Sequence, residues 1–191
     1  MCLFMRVIRQ IAGQKSAKMP KSQDKRSAQR ANAKLPTFDL MDRKILSALR
    51  TDGRLTVNEL AAKVGLSQSP CWTRLKRLES SGAIQRYVAI LDHKAIGLAN
   101  IVFVEVTLNK HDDKVLEEFG AALARIPEVV EAHLVTGDYD YLVKVAVAGT
   151  EHYEKFLRES LYRIPGIQHS RSTFGLRALK ETVSVDPLLL R

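Results

Sequence analysis

Between Thr56 and Glu79 two helix-start signals stand a short turn apart, and this constrains the chain more than any other feature. Thr56-Val-Asn-Glu59 has the form of a capping box: Thr caps an N–H of the first turn and Glu reaches back. The helix it opens runs through Leu60, Ala61 and Val64, and Gly65 stops it. Leu66-Ser67-Gln68-Ser69-Pro70 follows. Ser67 or Ser69 can cap a further helix, and Pro70 is tolerated in a first turn, where its missing N–H costs nothing. A short helix, a turn and a second capped helix make a helix-turn-helix. One more helix precedes the pair. Asp39 precedes LMDRKILSALR with Asp42 three residues on, an N-cap with an acidic first turn. Met41, Ile45 and Leu49 recur along it, with Leu46 and Ala48 beside them, to an end near Thr51-Asp52-Gly53.

The helix in SPCWTRLKRLE has two faces. At about 100° per residue, Cys71, Leu75, Leu78 and the following Gly82 fall on one stripe, the expected buried side. Ser69, Thr73, Lys76, Arg77 and Ser80 lie opposite, flanked by Trp72 and Arg74. Short polar and cationic residues suit the major groove: Thr and Ser contact base edges or phosphates, and Lys and Arg reach guanine or neutralise phosphate. A solvated amphipathic helix is the plainer alternative; the capped helix and turn before it favour DNA. The candidate DNA-facing residues are Ser67, Gln68, Ser69, Trp72, Thr73, Arg74, Lys76 and Arg77, with Arg86 beyond them. Arg86 falls in the β-prone run Ala83 to Leu91, expected to form a wing strand against the helices. Residues 92–99 read as a linker.

Charge agrees with an anionic partner. The formal net charge is +9, concentrated in the front of the chain. Residues 1–36 hold nine Lys/Arg against Asp24 alone. They read as a disordered basic tail. The tail is either an arm that adds phosphate attraction or the product of an upstream start codon, with Met19 the true start. Residues 88–191 hold twelve cationic against fifteen acidic residues, so the back half faces something other than a polyanion.

That back half alternates strands and helices. Ile101 to Leu108 has strand periodicity, Asp112 to Ile126 helical spacing ended by Pro127, and Val129 to Val135 strand character. A turn at Thr136–Asp140 leads into a strand from Tyr141 to Val147. A helix from Glu151 to Tyr162 and a strand from Ile167 to Leu176 complete the order. The order βαββαβ is ferredoxin-like, so the fold class is α+β: a winged helix-turn-helix over 37–91, then a ferredoxin-like domain over 100–191. Helices on one sheet face leave the other free to pair with a second copy.

No catalytic or metal constellation stands out. The five histidines are scattered, without ligand spacing. His133 and His169 fall within strands and read as structural. There is no Gly-rich phosphate loop and no Ser-centred elbow. Cys2 and Cys71 make neither a disulfide framework nor a metal site. Cys71 as a reactive thiol is the outlying alternative. A reducing cytosol is the default compartment, and no apolar run spans a bilayer. The loop Thr136-Gly137-Asp138-Tyr139-Asp140 is the best small-ligand candidate. A free amino acid needs an anion for its ammonium, which Asp138 or Asp140 offers. It also needs N–H donors for its carboxylate, which Gly137 lets approach. A plain hairpin turn uses the same chemistry.

Several segments together resemble one family. Asp39-Leu-Met-Asp-Arg-Lys-Ile-Leu46, Val64-Gly-Leu-Ser67, Ser69 to Glu79 with Gly82 and Ile84, Gly137-Asp-Tyr-Asp-Tyr-Leu142 and Ile164-Pro-Gly166 are similar to the leucine-responsive/asparagine-responsive (Lrp/AsnC) transcription regulators. The resemblance covers residues 38–176. It implies a DNA-binding regulator without a cofactor, an amino-acid effector, and homodimers that assemble to homo-octamers in the cytoplasm at the nucleoid. It places effector contacts on Thr136 to Asp140, with Phe174 and Gly175 on the last strand. Many relatives carry a larger residue at the position of Gly175. An architectural, largely non-specific DNA-wrapping protein is the second reading, motivated by the basic front half.

Overall fold

A computed structural model describes residues 37–189; the basic tail over 1–36 lies outside them. The chain divides into two compact units. One comprises residues 37–85 with 186–189, the other Arg86–Val185.

The first unit holds α1 (Leu40–Thr51), α2 (Val57–Val64) and α3 (Gln68–Ser80). Local chemistry sets their ends. Asp39 caps α1, accepting the Asp42 N–H at 2.8 Å, while Asp42 Oδ2 accepts the Asp39 N–H at 3.2 Å. Thr56 and Glu59 make the same reciprocal box at α2, and Gly65 ends that helix at φ +76°, a left-handed position that disfavours any Cβ. Ser67 stands at the N-cap of α3 but makes no side-chain cap bond. The core gathers Ile45, Ala48, Leu60, Ala61, Val64, Cys71, Leu75 and Leu78. The expected stripe of α1 is shifted: Met41 and Leu49 are half-buried, and Asp42 is buried with Ile45 and Ala48.

The expected wing strand is not formed. Residues 85–92 carry no strand, and Tyr87, Val88, Ile90 and Leu91 are exposed. Strand composition alone does not make a strand, whose backbone groups need a ladder to pair with.

The second unit is a four-stranded antiparallel sheet: β1 (Asn100–Leu108), β2 (Val129–Leu134), β3 (Tyr141–Val147) and β4 (Ile167–Phe174), in the order β2-β3-β1-β4. α4 (Asp113–Leu123) follows β1. α5 (Thr150–Glu159), then a 3₁₀ turn at Leu161–Arg163, follows β3. This is the ferredoxin-like order. Val102, Val104, Val106 and Leu108 alternate inward and meet Val143, Val145, Phe119, Leu123, Tyr153 and Phe156. The alternation sends Phe103, Glu105 and Thr107 to the other face, opposite Lys144 and Leu142 on β3 and Thr173, Arg171 and His169 on β4. Phe103 is exposed there. His133 and His169 are exposed, so neither fills the core.

Candidate nucleic-acid interface and ligand loop

α3 presents its polar face as the 100° projection expects. Gln68, Ser69, Trp72, Thr73, Lys76 and Arg77 are exposed, and Cys71 is fully buried with Leu75 and Leu78 inside. Burial pushes the Cys71 thiol up, which keeps it protonated and unreactive. Two side chains of the face are held in place. Thr73 Oγ1 donates to the Ser69 carbonyl at 3.1 Å, so towards an outside partner it offers lone pairs and a methyl group. Lys76 Nζ lies 4.4 Å from the Trp72 ring centroid and donates to Glu79 at 2.9 Å. These contacts limit the rotamers Lys76 can sample.

Arg74 and Arg77 are placed differently from their neighbours. Arg74 Nη1 donates to Asp39 Oδ2 at 2.6 Å and to Asp42 Oδ1 at 2.9 Å. Arg77 Nη2 donates to Asp42 Oδ2 at 2.5 Å. Asp39, bonded first to the Asp42 backbone N–H and then to Arg74, is held below the usual carboxylate range. Sequence reading missed Asp42 as an anchor. The available signal was its spacing: Asp42, Ile45 and Leu49 stand at i, i+3 and i+7, which puts an acid in line with the apolar stripe. Ser67 and Arg86 are both exposed, and Arg86 sits in the strandless run.

In the second unit the loop 136–140 is fastened by Asp140. Its N–H donates to Val106 O at 2.9 Å and its carbonyl accepts the Val135 N–H at 2.8 Å. Its Oδ2 accepts the Leu108 N–H at 2.7 Å and lies 3.1 Å from His111 Nε2. His111 was not singled out by sequence; its distance of 29 residues from Asp140 hides the pairing. Asp138 is exposed, and Gly137 takes φ +137° with open space where a Cβ would stand. Thr136 is exposed and Tyr139 half-buried.

Phe174 and Gly175 are elsewhere. Phe174 pairs with Val102, and the Gly175 N–H donates to Ile101 O at 2.8 Å. The loop adjoins Val106 and Leu108, so the two halves of the candidate site are separated by about 13 Å of β1 at roughly 3.3 Å per residue. One chain does not bring them together. A Cβ at Gly175 would lie 3.2 Å from the Ile101 carbonyl oxygen, so a larger residue there requires the strand end to give. Among the described residues no cluster of His, Cys, Asp and Glu could hold a metal ion, and no helix is long and apolar enough to cross a membrane.

Comparison with known proteins agrees with this arrangement. Residues 38–85 match the winged helix-turn-helix DNA-binding family and residues 101–185 the Lrp/AsnC ligand binding domain. The leucine-responsive regulatory protein of Escherichia coli K12 is 42% identical over 145 residues, covering 76% of this chain and 88% of its own. A Neisseria meningitidis transcriptional regulator solved with L-Met is 36% identical with a TM-score of 0.74, covering 78% of this chain and 96% of its own. The feast or famine regulatory protein of M. tuberculosis, complexed with L-methionine, is 31% identical with a TM-score of 0.70, covering 79% and 100%. A helix-turn-helix with a polar third helix, a ferredoxin-like partner unit and this similarity lead to one conclusion: the chain belongs to the Lrp/AsnC family and is a DNA-binding transcription regulator, not an enzyme.

Proposed function

We propose that α3 reads the major groove through Ser69, Thr73 and Lys76, with Gln68 and Trp72 beside them and Ser67 and Arg86 on the phosphate backbone. The observation that carries this is the Thr73–Ser69 hydrogen bond. It spends the hydroxyl proton, leaving Thr73 as an acceptor for adenine N6 or cytosine N4 and a methyl contact for thymine. Phosphate offers only acceptors, so Thr73 discriminates bases better than it binds backbone. The braced Lys76 supplies the cation. Two α3 helices of a homodimer, about one DNA turn apart, would select inverted half-sites.

The effector of this reading is an amino acid. Asp138 meets its ammonium, the backbone around Gly137 its carboxylate, and Phe174 and Gly175 of a second copy its side chain. The separation of loop and strand end along β1 supports a site completed between copies, and the open sheet face with exposed Phe103 supports pairing of chains. Homodimers assembling to a homo-octamer would place such sites at their seams. The effector then acts through its differential affinity for assembly states. Methionine and leucine are the first candidates, because similar proteins are solved with L-methionine or named leucine-responsive. The setting is the cytoplasm, at the nucleoid.

The test is sedimentation of the full chain across the twenty amino acids, paired with thermal shift. A shift in assembly with one amino acid, lost in Asp138→Ala, is the expected result. No shift with any of them removes amino acids as the effector class.

A further inference from the structure

The basic run of α3 holds Arg74, Lys76 and Arg77, and the structure divides them. Lys76 faces outward, braced by Trp72 and Glu79. Arg74 and Arg77 turn toward α1, where Asp42 is 1% exposed. Each oxygen of that carboxylate receives one arginine: Arg74 on Oδ1 at 2.9 Å and Arg77 on Oδ2 at 2.5 Å. Asp39 takes a second bond from Arg74 at 2.6 Å.

We infer that Asp42 withholds Arg74 and Arg77 from DNA, so that these arginines position α3 against α1 while Lys76 alone supplies the phosphate-facing charge of the helix. The inference rests on the reading of α3 as the groove helix.

First, the Arg77 side chain is 59% exposed, yet its guanidinium end reaches a buried oxygen. Moving it to a phosphate would take the cation from a desolvated carboxylate oxygen and leave that oxygen only the Asp39 N–H at 3.2 Å, a heavier loss than the gain of one solvated phosphate contact. Second, direct ion pairs join Asp39, Asp42, Arg74 and Arg77, two anions and two cations. That set surrounds a buried carboxylate, whereas the Lys76–Glu79 pair lies at the surface, with side chains 50% and 29% exposed, and a phosphate can replace Glu79 at little cost. Third, the helix geometry separates the roles. Ser69, Thr73 and Lys76 stand at i, i+4 and i+7 on one stripe, whereas Arg74 and Arg77 stand at i and i+3 on the stripe beside it.

The consequence is a recognition helix with weak salt dependence for its sequence. One phosphate neutralised contributes a slope of about 0.9 in log K against log salt; three would contribute about 2.7. Asp42 is thus a positioning residue that lowers non-specific affinity and leaves short-range groups to discriminate.

The experiment is fluorescence anisotropy of the full chain on a selected duplex and its scrambled counterpart, over a series of salt concentrations. Lys76→Ala is expected to reduce the slope by about 0.9 per engaged helix. Arg77→Ala is expected to change the slope by less than half of that increment and to keep the preference ratio within twofold, while lowering the melting temperature. Asp42→Asn is expected to steepen the slope by a similar increment, through release of Arg77, and the double variant Asp42→Asn with Arg77→Ala to remove that gain. A purely structural Asp42 would not produce that gain. If Asp42→Asn does not fold, the Arg77→Ala and Lys76→Ala comparison decides alone. A slope or preference lost with Arg77→Ala overturns the inference. Thr73→Ala and Lys76→Ala both without effect overturn the reading of the α3 face itself, and the inference with it.

Discussion

Asp140 and Leu108 are joined by a 2.7 Å hydrogen bond from the backbone N–H to the carboxylate, which ties the loop 136–140 to the end of β1. Asp140 is therefore already engaged, whereas Asp138, two residues earlier, is exposed. Asp140→Ala should leave the Leu108 N–H short of its partner and cost about 1–3 kcal/mol of stability. Asp138→Ala should leave the melt unchanged and weaken amino-acid binding. Paired denaturation and calorimetric titration distinguish them; a binding loss confined to Asp140→Ala, with no change of stability, would reverse the assignment.

Arg74 is the second stability prediction. Its Nη1 bridges Asp39 and the buried Asp42. Arg74→Ala should destabilise the helix-turn-helix unit by about 2 kcal/mol, since the buried Asp42 Oδ1 loses its arginine. Lys in its place should recover part of this, because both bonds leave a single nitrogen and an ammonium also carries several donors on one atom. Urea unfolding followed by helix signal measures the difference. Equal stability of Arg74→Ala and the native chain would remove Arg74 from the anchor.

Acid should loosen the same unit. Asp39 is held below its ordinary 3.8 by the Asp42 N–H and Arg74. Glu59 is held below its ordinary 4.5 by the Thr56 hydroxyl and N–H. Both groups are depressed in the folded state, so their stabilisation is fully present above those ordinary values. It is lost as pH falls through the lower folded ones. Melting temperature should drop with acid in that window, and Glu59→Gln should flatten the dependence. A Glu59→Gln profile parallel to the native one would exclude the capping box as a source.

Gly65 offers a local test. Its φ of +76° lies where a Cβ clashes with its own backbone although nothing else stands nearby. Gly65→Ala should cost about 1 kcal/mol. No measurable loss would show that the turn between α2 and α3 relaxes freely.

What could be read from sequence was local. Caps at Asp39, Thr56 and Gly65 involve residues three or four apart, and breakers such as Pro127 and Pro165 mark element ends without tertiary help. The inward set Val102 to Leu108 follows from a period of two. In sequence Asp42 has the look of a first-turn acid alone, because its arginine partners come from another helix, 32 and 35 residues on. The run 83–91 has strand composition, yet pairing, not composition, makes a strand. Motif position groups the loop with Phe174 but carries no distance; the register of β1 and β4 sets them apart.

Sequence selection by the α3 face is open to direct measurement. Competition binding of the full chain between a duplex enriched from a random pool and its scrambled counterpart tests it most directly. A preference on the order of 10³ or more at physiological salt is expected, narrowed by Thr73→Ala with little change on the scrambled duplex. Equal affinity for both duplexes would contradict it and leave a non-specific DNA-wrapping protein.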